Sequence, residues 1–244
     1  MLLVVGLEAA VDADRRPADA PFHLISLAVD PAGRSRAVSR STLDVAIPRD
    51  TDRRRHVDVV SGLELATGDY EIRVAGGDGA RGASVFTHVT VPPFRSEALS
   101  LSDVLLGEIR SAQSPQKKSV AGLTFPIVPT ARREFQGQGR IDAFVRIYQG
   151  TGRTDAPQPV TLRTFLVDGK GQTISSGITT LAETQFSRDR ATDHLVTLPV
   201  STLSPGDYLL KLEATMGRRI AGRAVRFTIV RASGAVTSPS RAPI

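Results

Sequence analysis

"LATGDYEIRV" occupies residues 65–74 and "LSPGDYLLKL" residues 203–212. One chain writes nearly the same ten residues twice, and the spacing around them decides the fold. Adding 138 to a residue number carries Asp30 to Asp168, Gly33 to Gly171, Leu65 to Leu203, Gly68 to Gly206, Asp69 to Asp207 and Tyr70 to Tyr208. "VDPAG" (29–33) therefore answers "VDGKG" (167–171), and 38 residues separate Asp from the GDY glycine in both places. "ARGASVFTHVTV" (80–91) resembles "IAGRAVRFTIV" (220–230) after a shift of two or three residues. Self-similarity at a fixed period marks a repeated structural unit. The chain is read as two tandem copies of one domain.

Within each copy the hydrophobic period is two. Tyr70, Ile72 and Val74 alternate with Glu71 and Arg73, and Tyr208, Leu210 and Leu212 repeat the pattern. Ile141, Ala143, Val145 and Ile147 share one side of "RIDAFVRIYQG". In "FHLISLAVD", Ile25, Leu27 and Val29 are expected on one face, against His23, Ser26 and Ala28. Such alternation is the signature of half-buried strands. "DPAG", "DGKG", "GGDG" and "SPGD" supply turns between them. "SLSDVLLGEIRSA" (100–112) has a weak helical period, but a strand plus loop is preferred.

Short strands with Gly/Asp/Pro turns predict an all-β fold of two tandem immunoglobulin-like or fibronectin-III-like sandwiches. The expected limits are 1–94 for the first sandwich, 131–230 for the second and 231–244 for a disordered tail. Residues 95–130 read as a linker with room for a first strand of the second domain. L-x-x-G-D-Y then opens strand F, where a Tyr forms the tyrosine corner by bonding back to upstream backbone. Gly68, Asp69, Tyr70, Gly206, Asp207 and Tyr208 are assigned to two such corners, with the aspartates capping the turns. Antibody domains carry a Cys two residues after that Tyr. Here Ile72 and Leu210 stand in its place, so packing alone closes each core.

The segment 65–106 resembles the pattern "LppGxYxlxV…G…V…VPxF…LxLSxxxL", found C-terminally in large secreted bacterial proteins related to von Willebrand factor type A, of the acidobacterial kind. "ARREFQGQGRIDAFVRIYQ" (131–149), "LSPGDYLLKLEA" and "RAVRFTIV" resemble the second half of the same region. The resemblance implies tandem β-sandwich modules that follow an adhesion domain. The type A domain's D-x-S-x-S metal signature does not occur in this chain. No metal-dependent adhesion is therefore carried onto any residue.

The 244 residues contain no Cys, which excludes disulfides, thiolate catalysis and Cys-based metal sites. No apolar run reaches the roughly 18–20 residues of a membrane helix, so no membrane insertion is expected. "MLLVVGLEAAVDAD" lacks the basic start of a signal peptide. A chain that opens inside an apolar segment suggests a boundary within a longer polypeptide. As part of such a precursor it would be secreted, periplasmic or on the cell surface.

The net charge of +6 is uneven. Residues 1–94 hold 11 Arg/Lys against 13 Asp/Glu, and residues 95–244 hold 20 against 12. Arg132, Arg133, Arg218, Arg219, Arg223 and Arg226 are the candidate anion-binding residues, suited to a phosphate chain or an acidic polysaccharide if strands gather them on one face. Nucleic acid binding usually adds stacking aromatics, and the chain has three Tyr and no Trp.

Other chemistry reads as structure. Ser114 and Lys117 fit S-x-x-K but stand in a Pro/Gln/Ser loop without the partner motifs of penicillin-recognising enzymes. "GGDGARG" (76–82) lacks the Gly-Lys-Ser/Thr of a phosphate loop. His23, His56, His88 and His194 form no local zinc pair, and His56 maps onto His194 at offset 138. Asp12, Asp14, Asp19, Asp50 and Asp52 could offer oxygens to calcium, but Arg15, Arg16 and Arg53–Arg55 neutralise them. No catalytic, cofactor or metal set is assigned. The expected function is a structural, adhesion or protein-interaction module of a larger extracytoplasmic protein, partnered by another protein or a cell-surface component. The alternatives are a basic module for an anionic polymer (acidic polysaccharide or nucleic acid) and a carbohydrate-binding accessory module of an enzyme.

Overall fold

A computed structural model describes residues 1–10, 21–43, 54–77, 82–109, 126–137, 140–150 and 154–231. These residues form sixteen strands and two single 3-10 turns, at Glu183–Gln185 and Val200–Thr202. The chain is all-β. The S-x-x-K loop, the candidate calcium aspartates and the tail beyond Arg231 lie outside the described residues, as does most of "GGDGARG".

The first half builds two sheets. β1 (Leu2–Ala10) pairs antiparallel with β4 (Arg54–Gly62). The second sheet runs β3 (Ser35–Leu43), β2 (Phe22–Val29), β5 (Gly68–Gly77), β6 (Gly82–Val91). Leu24, Ala28, Tyr70, Ile72 and Val74 from this sheet pack against Val59 and Leu63, joined by Leu3, Val5 and Leu7 of β1. That is a sandwich, with its core between the two inner faces.

The second half repeats this and extends it. One sheet runs β13 (Thr173–Leu181), β12 (Val160–Asp168), β15 (Gly206–Met216), β16 (Arg219–Val230), with β10 (Glu134–Gln136) parallel to β16. The other runs β14 (Ala191–Leu198), β11 (Ile141–Tyr148), β8 (Leu105–Ile109), β9 (Ile127–Thr130). The two-residue β7 (Ser100–Leu101) also pairs with β11. The segment read as a connection thus contributes three strands to the second sandwich, and 100–109 is strand rather than helix. On the outer face of this sheet Phe144 packs with Ile127, Leu105 and Leu195 of the neighbouring strands, and Asp142 accepts from Thr197 Oγ1 at 2.7 Å, so both are buried along with the expected inner residues.

The repeat holds strand by strand. β2, β3 and β5 occupy the positions of β12, β13 and β15 at the offset of 138, down to a β-bulge at Ala28/Val29 and another at Leu166/Val167. Asp30 Oδ1 accepts from the Ala32 and Arg34 amides (3.0 and 2.9 Å); Asp168 Oδ1 accepts from Lys170 and Gln172 (both 2.9 Å). Gly33 and Gly171 close those turns at φ of +77° and +82°, a region that favours glycine. β1 stands where β11 stands, with Leu3, Val5 and Leu7 matching Ile141, Ala143 and Val145, a correspondence the sequence reading did not reach.

Two expectations need correction. In β2 the inward residues are Leu24, Ser26 and Ala28, whereas Ile25 is 41% exposed. The bulge at Ala28/Val29 brings Val29 inside as well, which disguised the true parity. The histidine match also fails. Leu7 pairs with Val57 and its counterpart Val145 pairs with His194, so Val57 holds the place of His194. A one-residue change before β4 shifts its register, and a shift of one exchanges the faces of a strand.

Candidate binding cleft and the arginine positions

The tyrosine corners close as built from the residues. Tyr70 Oη donates to the Ala66 carbonyl at 3.1 Å, and Tyr208 Oη to the Ser204 carbonyl at 2.7 Å, both four residues upstream. Gly68 and Gly206 open the strands at φ of +148° and +154°, where a side chain is strained. The aspartates do not cap these turns. Asp69 Oδ1 accepts from Thr90 Oγ1 (2.6 Å), and Asp207 Oδ1 from Thr228 Oγ1 (2.7 Å). Each Asp stands directly opposite its Thr on the next strand, a stabilising cross-strand pair.

Beside the second corner the sandwich gapes. A cleft of about 860 Å³ opens between the β12–β13 edge and β14 with the turn that follows it. Leu166, Leu198 and Leu210 lie at its floor; Ser175, Ser176 and Thr202 stand among its polar lining. β13 is exposed on both faces from Thr173 to Thr180, with Ile178 71% exposed. Its outer edge pairs with no other described strand. Thus one side of the second sandwich presents an apolar floor, hydroxyls and a strand edge that no described strand pairs. Such a site can hold an extended chain.

The arginines are dispersed. Arg132 and Arg133 lie between β9 and β10, and the Arg133 carbonyl accepts from the Thr228 amide at 2.7 Å. Arg218 and Arg219 lie at the opposite end of β16, nine residues away, or ~30 Å along an extended strand. Arg223 and Arg226 sit on opposite faces of β16; Arg223 shares the face of Phe227 and pairs with Asp103 at 3.4 Å. Arg133 is exposed, yet its guanidinium is desolvated enough to lower its pKa, with Asp58 opposing that shift. Arg218 and Arg219 come near a third arginine. They share a polar pocket of about 180 Å³ with Arg190, Gln149, Asp155 and Gln158.

Arg190 carried no signal in the sequence. It is buried, and it is the one described non-glycine residue at positive φ, +56°. Its Nε donates to the Gln149 carbonyl (2.7 Å), and its guanidinium also reaches the Asp155 carbonyl and carboxylate. Gln149, fully buried, exchanges two hydrogen bonds with the Gln158 backbone (2.6 and 2.8 Å). These contacts pin the β11–β12 connection to the start of β14.

No family model matches the chain, and none of the curated proteins does. Among solved structures, the chain is similar to a biofilm-associated protein's BSP domain (11% identity, 90% of this chain and 26% of that one, TM-score 0.33). It is similar to dimeric latent PorU from Porphyromonas gingivalis (13% identity, 95% and 18%, TM-score 0.35). It is also similar to a DUF3823 family protein from Bacteroides ovatus (12% identity, 91% and 98%, TM-score 0.29). The chain spans about a quarter of the first of these and less of the second.

Among the described residues, no helix is long and apolar enough to cross a membrane, and no three His, Cys, Asp or Glu side chains gather as metal ligands.

Proposed function

We propose that this chain is a non-catalytic interaction module of a larger extracytoplasmic protein, and that its second sandwich holds an extended polypeptide in the cleft between β13 and β14. The observation that carries the reading is β13 itself: an edge that no described strand pairs, exposed on both faces, standing over a leucine floor. Strand addition at such an edge draws affinity from main-chain bonds and specificity from the pockets for alternate side chains. The reading is tested by selecting random extended peptides on the whole chain. Alternating apolar sequences should be enriched, and their binding should fall at least tenfold in Ser176→Trp, which fills the cleft, and in Ile178→Pro, which removes an edge amide. Failure to enrich, or binding indifferent to both substitutions, overturns it.

A second reading, an anionic partner, is supported at one place: Arg218 and Arg219 beside Arg190. There Arg218→Ala with Arg219→Ala should weaken heparin binding and flatten its salt dependence. The pair Arg132→Ala with Arg133→Ala should leave that site intact. Equal losses from both pairs would mean diffuse charge instead.

A further inference from the structure

The pocket shared by Arg190, Arg218 and Arg219 is built from both sheets of the second sandwich. Arg190 ends the turn that leads into β14. Its amide donates to the Ser187 carbonyl at 2.9 Å, and the Ser187 amide donates to the Ala191 carbonyl at 2.9 Å. Ser187, Arg188 and Asp189 are exposed, whereas Arg190 turns inward with its side chain only 8% exposed. The inward turn coincides with the left-handed φ of +56°. Such backbone costs a non-glycine residue energy, and residues held in it gather at ligand clamps. Arg218 and Arg219 come from the β15–β16 hairpin. Met216 and Arg219 are its last pair, so Gly217 and Arg218 form a two-residue turn, with Gly217 at φ of +57°. Both of these arginines are exposed.

The wall between them is fixed. The Gln149 amide donates to the Arg190 carbonyl at 2.9 Å, and Arg190 Nε donates back to the Gln149 carbonyl at 2.7 Å. The Gln149 side chain is itself held at both ends by the Gln158 backbone. Among the described residues the Arg190 guanidinium is thus held by carbonyls, those of Gln149 and Asp155. Asp155 Oδ1 stands 3.8 Å from Nη2, beyond hydrogen-bond length. Carbonyls carry no full charge, and a buried charge is ordinarily paired. Of the described side chains that line the pocket, three are arginines and one, Asp155, is a carboxylate.

Resting on the anionic reading and naming its ligand, we infer that this pocket recognises one tetrahedral oxyanion ester, a sulfate or phosphate group carried on a saccharide. The pocket measures about 180 Å³. That is the share of about six waters at ~30 Å³ each, room for one such group and not for a length of polymer. The shape of the group follows from the donors. A carboxylate presents two oxygens in one plane, and a single guanidinium fork satisfies them. A tetrahedral ester presents three free oxygens in three directions. Arg190 meets one from the buried floor, and Arg218 and Arg219 meet the others from the exposed rim. Ala98 and Gly217 leave the lining without bulk where the group enters. Asp155 repels that group and so tunes its affinity.

The probes are glucose 6-sulfate, glucose 6-phosphate and glucuronate, titrated into the whole chain and followed by calorimetry and by the NMR signals of the arginine Nε–H groups. At least one ester should bind, one per chain, at least tenfold tighter than glucuronate, and should shift the Arg190 signal. The tighter ester tells which of the two the saccharide carries. Asp155→Asn should tighten ester binding about fivefold, the effect of one unit charge at ~4 Å in water. Asp103→Asn, the same change in net charge outside the pocket, should leave it unchanged. Arg219→Lys keeps the charge but loses the fork. It should weaken ester binding at least fivefold without moving the thermal transition, because that side chain is exposed. Glucuronate binding as tightly as the esters, equal effects of the two Asp→Asn changes, or binding of neither ester overturns the inference. If neither ester binds while heparin still depends on Arg218 and Arg219, the anionic reading stands and this inference alone falls. If the esters bind as described while heparin ignores those arginines, the polymer reading falls and the pocket stands.

Discussion

Asp30 shows how much one carboxylate can organise. Its Oδ1 accepts the Ala32 and Arg34 amides, and its Oδ2 receives Arg34 and Arg36 Nε. The Arg34 amide and these guanidinium bonds hold its pKa at about 2, against 3.8 for an ordinary aspartate. The folded value lies below the unfolded one, so the stabilisation is complete above pH 3.8 and is lost as the pH falls through about 2. Acid titration of stability should show this loss in the wild type, and Asp30→Asn should remove it. His194 carries the opposite dependence. Burial lowers its pKa below 6.5, so folding favours the neutral ring. Stability should fall as the pH drops below 6.5, and His194→Gln should flatten that limb of a denaturation series. Neither effect was legible in the sequence, because both depend on which neighbours crowd the group. The corner tyrosines were legible. L-x-x-G-D-Y fixes a phenol, a strained glycine and an upstream carbonyl within a few residues. Tyr208→Phe should cost about 1 kcal/mol in chemical denaturation, the net worth of one such hydrogen bond.

Elements were readable where their signal is local and doubtful where it depends on partners. β5 and β15 each bury one face, and alternation gives them directly. β2 misled because the bulge at Ala28/Val29 places two consecutive residues inside. β11 misled in another way: on its second face side chains of the neighbouring strands β8, β9 and β14 close over Phe144, and Thr197 holds Asp142, so both are buried although alternation assigns them outside. The arginines would make one patch only if strands gathered them on one face, and β16 does not. A strand sends successive side chains to opposite faces, and nine residues of it separate the pairs at its two ends. β8 also contains the glycine with the closest neighbour among those of the described strands. A methyl group on Gly107 would stand 2.2 Å from the Val128 carbonyl oxygen of β9, where backbone cannot yield cheaply. Gly107→Ala should destabilise the second sandwich by about 1–3 kcal/mol, the usual range for overpacking. Equilibrium unfolding checks this; an unchanged midpoint would mean that β9 does not pair with β8 as described.

At the scale of the molecule, the two halves bury separate cores. Tyr70 and Ile72 belong to one, Tyr208 and Leu210 to the other. The Ala131 amide joins them by donating to Asp58 Oδ1 at 2.8 Å. Two cores joined in this way should unfold in two steps, since all-or-none behaviour is a property of single domains. Leu210→Ala should lower one calorimetric transition and Ile72→Ala the other, each by the 2–5 kcal/mol typical of a buried leucine or isoleucine. A single transition shifted alike by both would show one cooperative unit.

The shared offset of 138 has a consequence for how the chain reaches this state. Strands β2 and β12 bulge at matching positions and follow the same hairpin geometry, so each is a plausible guest in the other's sheet. Crossed assembly between neighbours is a characteristic failure of duplicated proteins. What separates right from wrong here is side-chain volume. Ala28 and Val74 face the first core where Leu166 and Leu212 face the second, so an exchanged strand arrives too large for one nest and too small for the other. Divergence between the copies is therefore itself a proofreading device, and sequences drawn closer together should refold with lower yield.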